Sequence, residues 1–85
     1  MHVRIISPER MVYDGDASGV VAPAYDGQVG ILPRHAPFMT LLGQGVLTLN
    51  TPEGDRRFTV RGGVLQVAGD VVSVVTESAS SDTDR

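Results

Sequence analysis

Glycine and proline cut this chain into short apolar runs, and that punctuation constrains its fold more than any other feature. Val3 to Ile6, Arg56 to Arg61 and Val71 to Thr76 are four to six residues long and rich in β-branched side chains. Runs of this length suit strands, whose side chains alternate from face to face, and are too short for a helix. No window shows helical periodicity with caps at its ends.

Read in order, Val3 to Ile6 is a first strand, stopped by Ser7-Pro8-Glu9. Met11 to Tyr13 is a second, ended by Asp14-Gly15-Asp16. Ser18 to Ala22 is a third, with Pro23 placing its end at a sheet edge. Asp26-Gly27 predicts a type I′ hairpin turn, after which Val29 and Ile31 face one way and Gly30 and Leu32 the other. Pro33 and Pro37 deny regular ladder bonds to the stretch Pro33 to Leu42, which reads as an ordered loop entering a short strand. Gly45 to Asn50 is a strand, and Thr51-Pro52-Glu53-Gly54 is a turn. Arg56 to Arg61 alternates, with Phe58 and Val60 inward. After Gly62-Gly63, Val64 to Ala68 and Val71 to Thr76 flank Gly69-Asp70, where a leading glycine predicts a type II′ turn.

The fold class that follows is all-β: a small sandwich or flattened barrel of two antiparallel sheets, with roughly eight to ten short strands. The sandwich is expected over residues 1–77, and the small, polar, acidic stretch 78–85 is expected to be a disordered tail. With 85 residues and no cysteine, stability must come from an apolar core rather than from disulfides or a thiolate metal site. A hydrophobic fraction of 41% is enough to build one, and a partner surface would add to it.

Charge and residue usage exclude whole classes of function. A net charge of −3 argues against nucleic acid, which needs a clustered basic face. All seven basic residues are arginine. Without lysine there is no Walker phosphate loop, no Schiff-base chemistry and no lysine-borne prosthetic group. No apolar run reaches the roughly 20 residues that cross a bilayer, and Met1-His2-Val3-Arg4 does not open like a signal peptide. The expectation is a soluble, cytoplasmic domain with no direct membrane insertion, meeting a membrane through another protein.

Local motifs point to little chemistry. Asp14-Gly15-Asp16-Ala17-Ser18-Gly19 matches the first half of a calcium loop, but the twelfth position is Tyr25 rather than glutamate, so a polar turn is the better reading. His2 and His35 belong to no metal-ligand spacing, and no Gly-x-Ser-x-Gly elbow exists. The glycines form no Gly-x-Gly-x-x-Gly followed by a helix. No catalytic residue, metal, cofactor or small-molecule substrate is therefore expected. The segment Asp26 to Pro37 is different. It is long, stiffened by two prolines, and holds an imidazole between them, which fits either a partner-binding surface or a structural crossover.

Gly27, Gly30, Ile31, Pro33, His35, Ala36, Pro37 and Thr40 fit a pattern running Gly-acidic-x-Gly-Ile-x-Pro-Gly-His-Ala-Pro, with a threonine three residues on. The segment thereby resembles the epsilon subunit of F-type ATP synthases. Ile6-Ser7-Pro8-Glu9, Val12-Tyr13-Asp14-Gly15, Gly45-Val46-Leu47, Phe58-Thr59-Val60, Gly62 to Val67 and Val72 to Ala79 follow the same family's order, so the resemblance covers nearly the whole chain. It implies a non-catalytic β-sandwich in the central stalk, bound to the gamma subunit and resting on the c-ring, which helps couple proton or sodium flow to ATP synthesis. It also implies a peripheral place on the cytoplasmic face of the bacterial plasma membrane.

Carried over residue by residue, the resemblance puts Asp26, Gly27, Gln28, Val29 and Gly30 on the c-ring side. His35, Ala36, Pro37 and Thr40 fall at the gamma side. Arg34 stands where the family has glycine, and Gln28 where it often has an acidic residue. The family's C-terminal helical hairpin, which carries its inhibitory function, has no counterpart in these residues, so the chain is expected to couple rotation without acting as a brake. The alternative is a freestanding adaptor that binds an unrelated protein or peptide along an edge strand.

Overall fold

Ten strands form from these runs in the computed structural model, which describes residues 1–81. They are β1 (His2–Ile6), β2 (Met11–Asp16), β3 (Gly19–Ala24), β4 (Gly27–Ile31), β5 (Phe38–Leu41), β6 (Gln44–Thr51), β7 (Gly54–Arg61), β8 (Val64–Ala68), β9 (Val71–Val75) and β10 (Ser78–Ser81). One sheet has the order β2-β1-β9-β8-β5 and the other β10-β7-β6-β3-β4. Every pairing is antiparallel except that of β1 with β9. The described residues contain no helix. The all-β sandwich expected from the sequence is what forms.

Alternation decides which side chains meet between the sheets. Val3 and Ile5, Val20 and Ala22, Leu47 and Leu49, Phe58 and Val60, Leu65 and Val67, and Val72 and Val74 are pairs two residues apart, each buried to 1% exposure or less. Ile31 closes one end of this core. Tyr13 tilts against Phe58 with ring centroids 5.8 Å apart, and the Arg56 guanidinium lies 5.4 Å from both rings. Burial pushes the Tyr13 hydroxyl up from its ordinary pKa, with Arg56 pulling the other way.

Among the described residues the chain passes between the sheets five times, and three of those crossings meet at one junction. Leu42 N–H donates to Gly63 O at 2.9 Å, and Gly62 N–H donates to Gly43 O at 3.1 Å. Thr76, only 2% exposed, donates its hydroxyl to Gly62 O at 2.8 Å. Gly63 has φ +110°, and a Cβ there would lie 2.0 Å from the carbonyl oxygen of Val75. Only glycine fits.

Several local expectations change. Asp14-Gly15-Asp16 continues β2 instead of turning. A bulge at Val12, where Ile5 pairs with Tyr13 and Ile6 with Met11, resets the register so that both carboxylates face outward beside His2. Pro23 lies inside β3, beyond the last residue that pairs with β6, where it faces Gln28 of β4 and its carbonyl accepts the Gly43 N–H at 2.7 Å. Gly69 and Asp70 both have positive φ, 58° and 62°, which is the type I′ pattern rather than type II′. The stretch expected to be a disordered tail begins as a strand. Ser78 to Ser81 pair with Arg61 to Phe58, because Thr76 turns the backbone onto the open edge of β7 and Ala79 packs against the core. Residues 82–85 lie outside the described residues.

Replacing Gly63 tests the junction. Gly63→Ala is expected to cost about 3 kcal/mol, lowering Tm by roughly 12 to 24 °C. Gly30→Ala, whose added methyl would meet nothing within 4 Å, should stay within about 0.5 kcal/mol of the parent. Equal thermal melting of the two variants would refute the packing argument.

Candidate functional site

The β3–β4 hairpin turns through Tyr25 and Asp26, closed by the pairing of Ala24 with Gly27. Positive φ falls on Gly27 alone, at +132°, and Asp26 stays in the ordinary range, so the expected type I′ geometry is not adopted. Tyr25, Asp26, Gly27, Gln28 and Gly30 are exposed, while Val29 is half-buried and packs on the core. The Asp26 and Gln28 side chains face outward.

From β4 the chain crosses to the other sheet through Leu32 to Pro37. This loop has a defined shape. Arg34 adopts φ +68°, the left-handed conformation that glycine takes freely and other residues rarely do. Its N–H donates to Asp70 Oδ1 at 2.9 Å. His35 N–H donates to Leu32 O at 3.1 Å, and the ring hydrogen-bonds through Nδ1 to Ala36 O at 2.8 Å. With Nδ1 donating, Nε2 is left as the acceptor. The half-buried ring tilts on Phe38, 5.7 Å between centroids. Ala36 and Pro37 are exposed, and Thr40 is half-buried in β5. Arginine at position 34 has therefore not unmade the glycine-like turn.

Hairpin and β5 face each other across an open groove of about 600 Å³. Tyr25, Asp26, Gln28 and Val29 form one wall, and Phe38, Met39, Thr40, Leu41 and Val64 the other. Among the described residues, Asp26 is the one charged residue lining it. The structure thus joins Asp26, Gln28 and Val29 to Thr40, which the sequence reading assigned to two separate contacts. His35, Ala36 and Pro37 precede the Phe38 wall and do not line the groove, and Gly27 and Gly30 lie on the hairpin outside it.

A second feature escaped the sequence reading. Pairing registers place Met11, Ile6, Val75, Val64 and Leu41 side by side across all five strands of one sheet, on its outer face. Met11, Val75 and Leu41 are 48%, 55% and 58% exposed. At a strand spacing of about 4.8 Å this apolar row spans roughly 19 Å. It runs into the groove, since Leu41 and Val64 belong to both. The available signal was an apolar residue at an outward position where alternation calls for a polar one, as at Val75 after Val74. Single exposed apolar residues are common; here three of them alternate with half-buried Ile6 and Val64 in one row, which makes it a candidate contact surface.

Residues 1–82 match the family described as ATP synthase, Delta/Epsilon chain, beta-sandwich domain. The chain is 44% identical over 85 residues to the ATP synthase epsilon chain of Nitrosococcus oceani, covering 99% of this chain and 61% of that one. It is 43% identical over 89 residues to the epsilon chain of a serogroup C Neisseria meningitidis, covering 100% and 64%. It therefore spans a little over three fifths of the length of these relatives. In shape it is similar to a chain in the Euglena gracilis mitochondrial ATP synthase, with TM-score 0.86 at 18% identity, covering 96% of this chain and 54% of that one. A chain from the central stalk and c-ring of the Tetrahymena thermophila mitochondrial ATP synthase gives TM-score 0.76, also at 18% identity, covering 94% and 65%. At that identity the likeness shows the fold.

The left-handed Arg34 makes a measurable prediction. Arg34→Gly removes the clash of Cβ with the backbone and is expected to stabilise by about 0.5 to 1 kcal/mol, raising Tm by a few degrees, while Arg34→Ala leaves it near the parent. A glycine variant that melts below the alanine variant would show that position 34 carries no strain.

Proposed function

The chain belongs to the delta/epsilon chain family of ATP synthases, and we propose that its sandwich is a central-stalk rotor module that binds both the gamma shaft and the c-ring. In this reading it couples proton or sodium flow to ATP synthesis by transmitting rotation and performs no catalysis itself. It sits peripherally on the cytoplasmic face of a bacterial plasma membrane, held there by its partners. The observation that carries the reading is the groove with its adjoining apolar row, an exposed low-charge surface built on rigid strands.

Gamma is assigned to the β5 side, where the expected His35, Ala36, Pro37 and Thr40 lead into Met39, Leu41 and the row beyond. A docking face of this kind needs an apolar centre and a polar rim, with total buried area on the order of 1,200 to 2,000 Å². The c-ring is assigned to the tip of the β3–β4 hairpin, from Asp26 to Gly30, which projects polar and glycine residues suited to a rim contact. Gln28 offers an amide there instead of a carboxylate, so pairing with a basic ring loop relies on hydrogen bonding more than charge. The Tetrahymena chain of similar shape comes from a central stalk and c-ring assembly, which supports the same arrangement.

Binding to purified gamma subunit is the test. The chain is expected to form a stable complex, and Leu41→Asp to weaken it by at least about tenfold by burying an unpaired carboxylate. Leu41 is exposed in the free domain, so Tm should barely move. His35→Asp should weaken the complex too, by removing the ring that shapes the loop. A wild-type chain that ignores gamma would favour the freestanding adaptor. Full affinity in Leu41→Asp would move the contact off this face.

A further inference from the structure

We propose that Asp70 is a positioning residue for the docking loop, its carboxylate latching the Arg34 backbone so that Leu32 to Pro37 is preset in the shape offered to the partner. The inference rests on the reading of that loop as part of the gamma contact. It starts from a coincidence of geometry. Among the described residues, Arg34 and Asp70 are the two non-glycine residues with positive φ, at 68° and 62°. They are 36 positions apart and directly hydrogen-bonded, Arg34 N–H to Asp70 Oδ1 at 2.9 Å.

The bond serves the loop rather than the turn. Asp70 sits in a two-residue turn with Gly69, closed by the pairing of Ala68 with Val71, and its carbonyl accepts the His2 N–H at 3.1 Å. That turn holds without Arg34. The loop has fewer ties. His35 N–H to Leu32 O and the His35 ring to Ala36 O both close inside it, whereas the Asp70 bond fixes it to the β8–β9 hairpin of the sheet it enters at β5. Pro33 and Pro37 fix their own φ and bias Leu32 and Ala36 toward extended backbone. Position 34 is therefore the soft point of the segment. A left-handed arginine relaxes to an ordinary conformation unless something holds it, and a carboxylate accepting a backbone N–H is a strong hold. Presetting the loop spares the complex the entropy of ordering it on contact.

The experiment reads His35 amide hydrogen exchange in the whole chain, alongside affinity for purified gamma subunit. Asp70→Gly keeps a residue suited to φ +62° but removes the carboxylate. It is expected to speed His35 exchange by about tenfold and to weaken gamma binding by a similar factor, with little change in Tm. Asp70→Asn retains an acceptor oxygen and tolerates the left-handed turn, so it should restore slow exchange and binding. Arg34→Ala keeps the N–H and should behave like the parent in both. Unchanged exchange in Asp70→Gly overturns the latch. Faster exchange with undiminished affinity leaves the latch standing and overturns the docking role of the loop.

Discussion

Everything in this molecule hangs on the close approach of three backbone crossings, at Leu42-Gly43, Gly62-Gly63 and Thr76. The sheets could bury the same apolar side chains in many relative positions, because hydrophobic attraction has no direction. Hydrogen bonds do have direction. Those from Leu42 to Gly63, from Gly62 to Gly43 and from the Thr76 hydroxyl to Gly62 fix how β5, β7 and β9 leave one sheet and enter the other. Gly63 lets them approach, since any side chain there would strike the Val75 carbonyl. A domain of this size has little stability to spare, so a distortion at that point would be felt throughout.

The same junction explains where the apolar row lies. Leu41, Val64 and Val75 each stand next to a crossing, at the last outward position before the chain dives or the first after it emerges. Holding three crossings together aligns those ends at one height, and pairing then adds Ile6 and Met11 in register. The surface is a consequence of the fold's tightest constraint. Its position is rigid because the crossings beneath it are.

The sequence made the strand architecture legible because alternation and punctuation are local signals. Arg56 to Arg61 and the glycine pair after it could be read correctly from spacing alone. What failed was information carried by pairing partners rather than by the segment itself. Asp14-Gly15-Asp16 looks like a turn, yet β1 supplies a pairing edge that keeps it extended, and His2 receives its carboxylates. Ser78 to Ser81 have no apolar signal of their own and become a strand because β7 has an edge to offer. Turn type at Gly69-Asp70 depends on aspartate accepting positive φ, which composition permits but does not require. The candidate loop was visible by its prolines and imidazole. The groove and the row were not, since they exist only where β4 and β5, or five strands of one sheet, come side by side.

Arg34 shows how a departure from a pattern can be absorbed without losing the shape the pattern encodes. Glycine at this point supplies left-handed backbone at no steric cost, whereas arginine must be held there. The holding group comes from Asp70, itself left-handed and itself secured by Gly69 and His2. Strain at one position is thus offset by a bond from a turn whose geometry is settled independently. That arrangement makes the conformation of the loop conditional on the β8–β9 turn, which belongs to the same sheet as the β5 strand the loop enters. The loop thus takes its shape from the pairing of β5, β8 and β9 and keeps it while that sheet is formed.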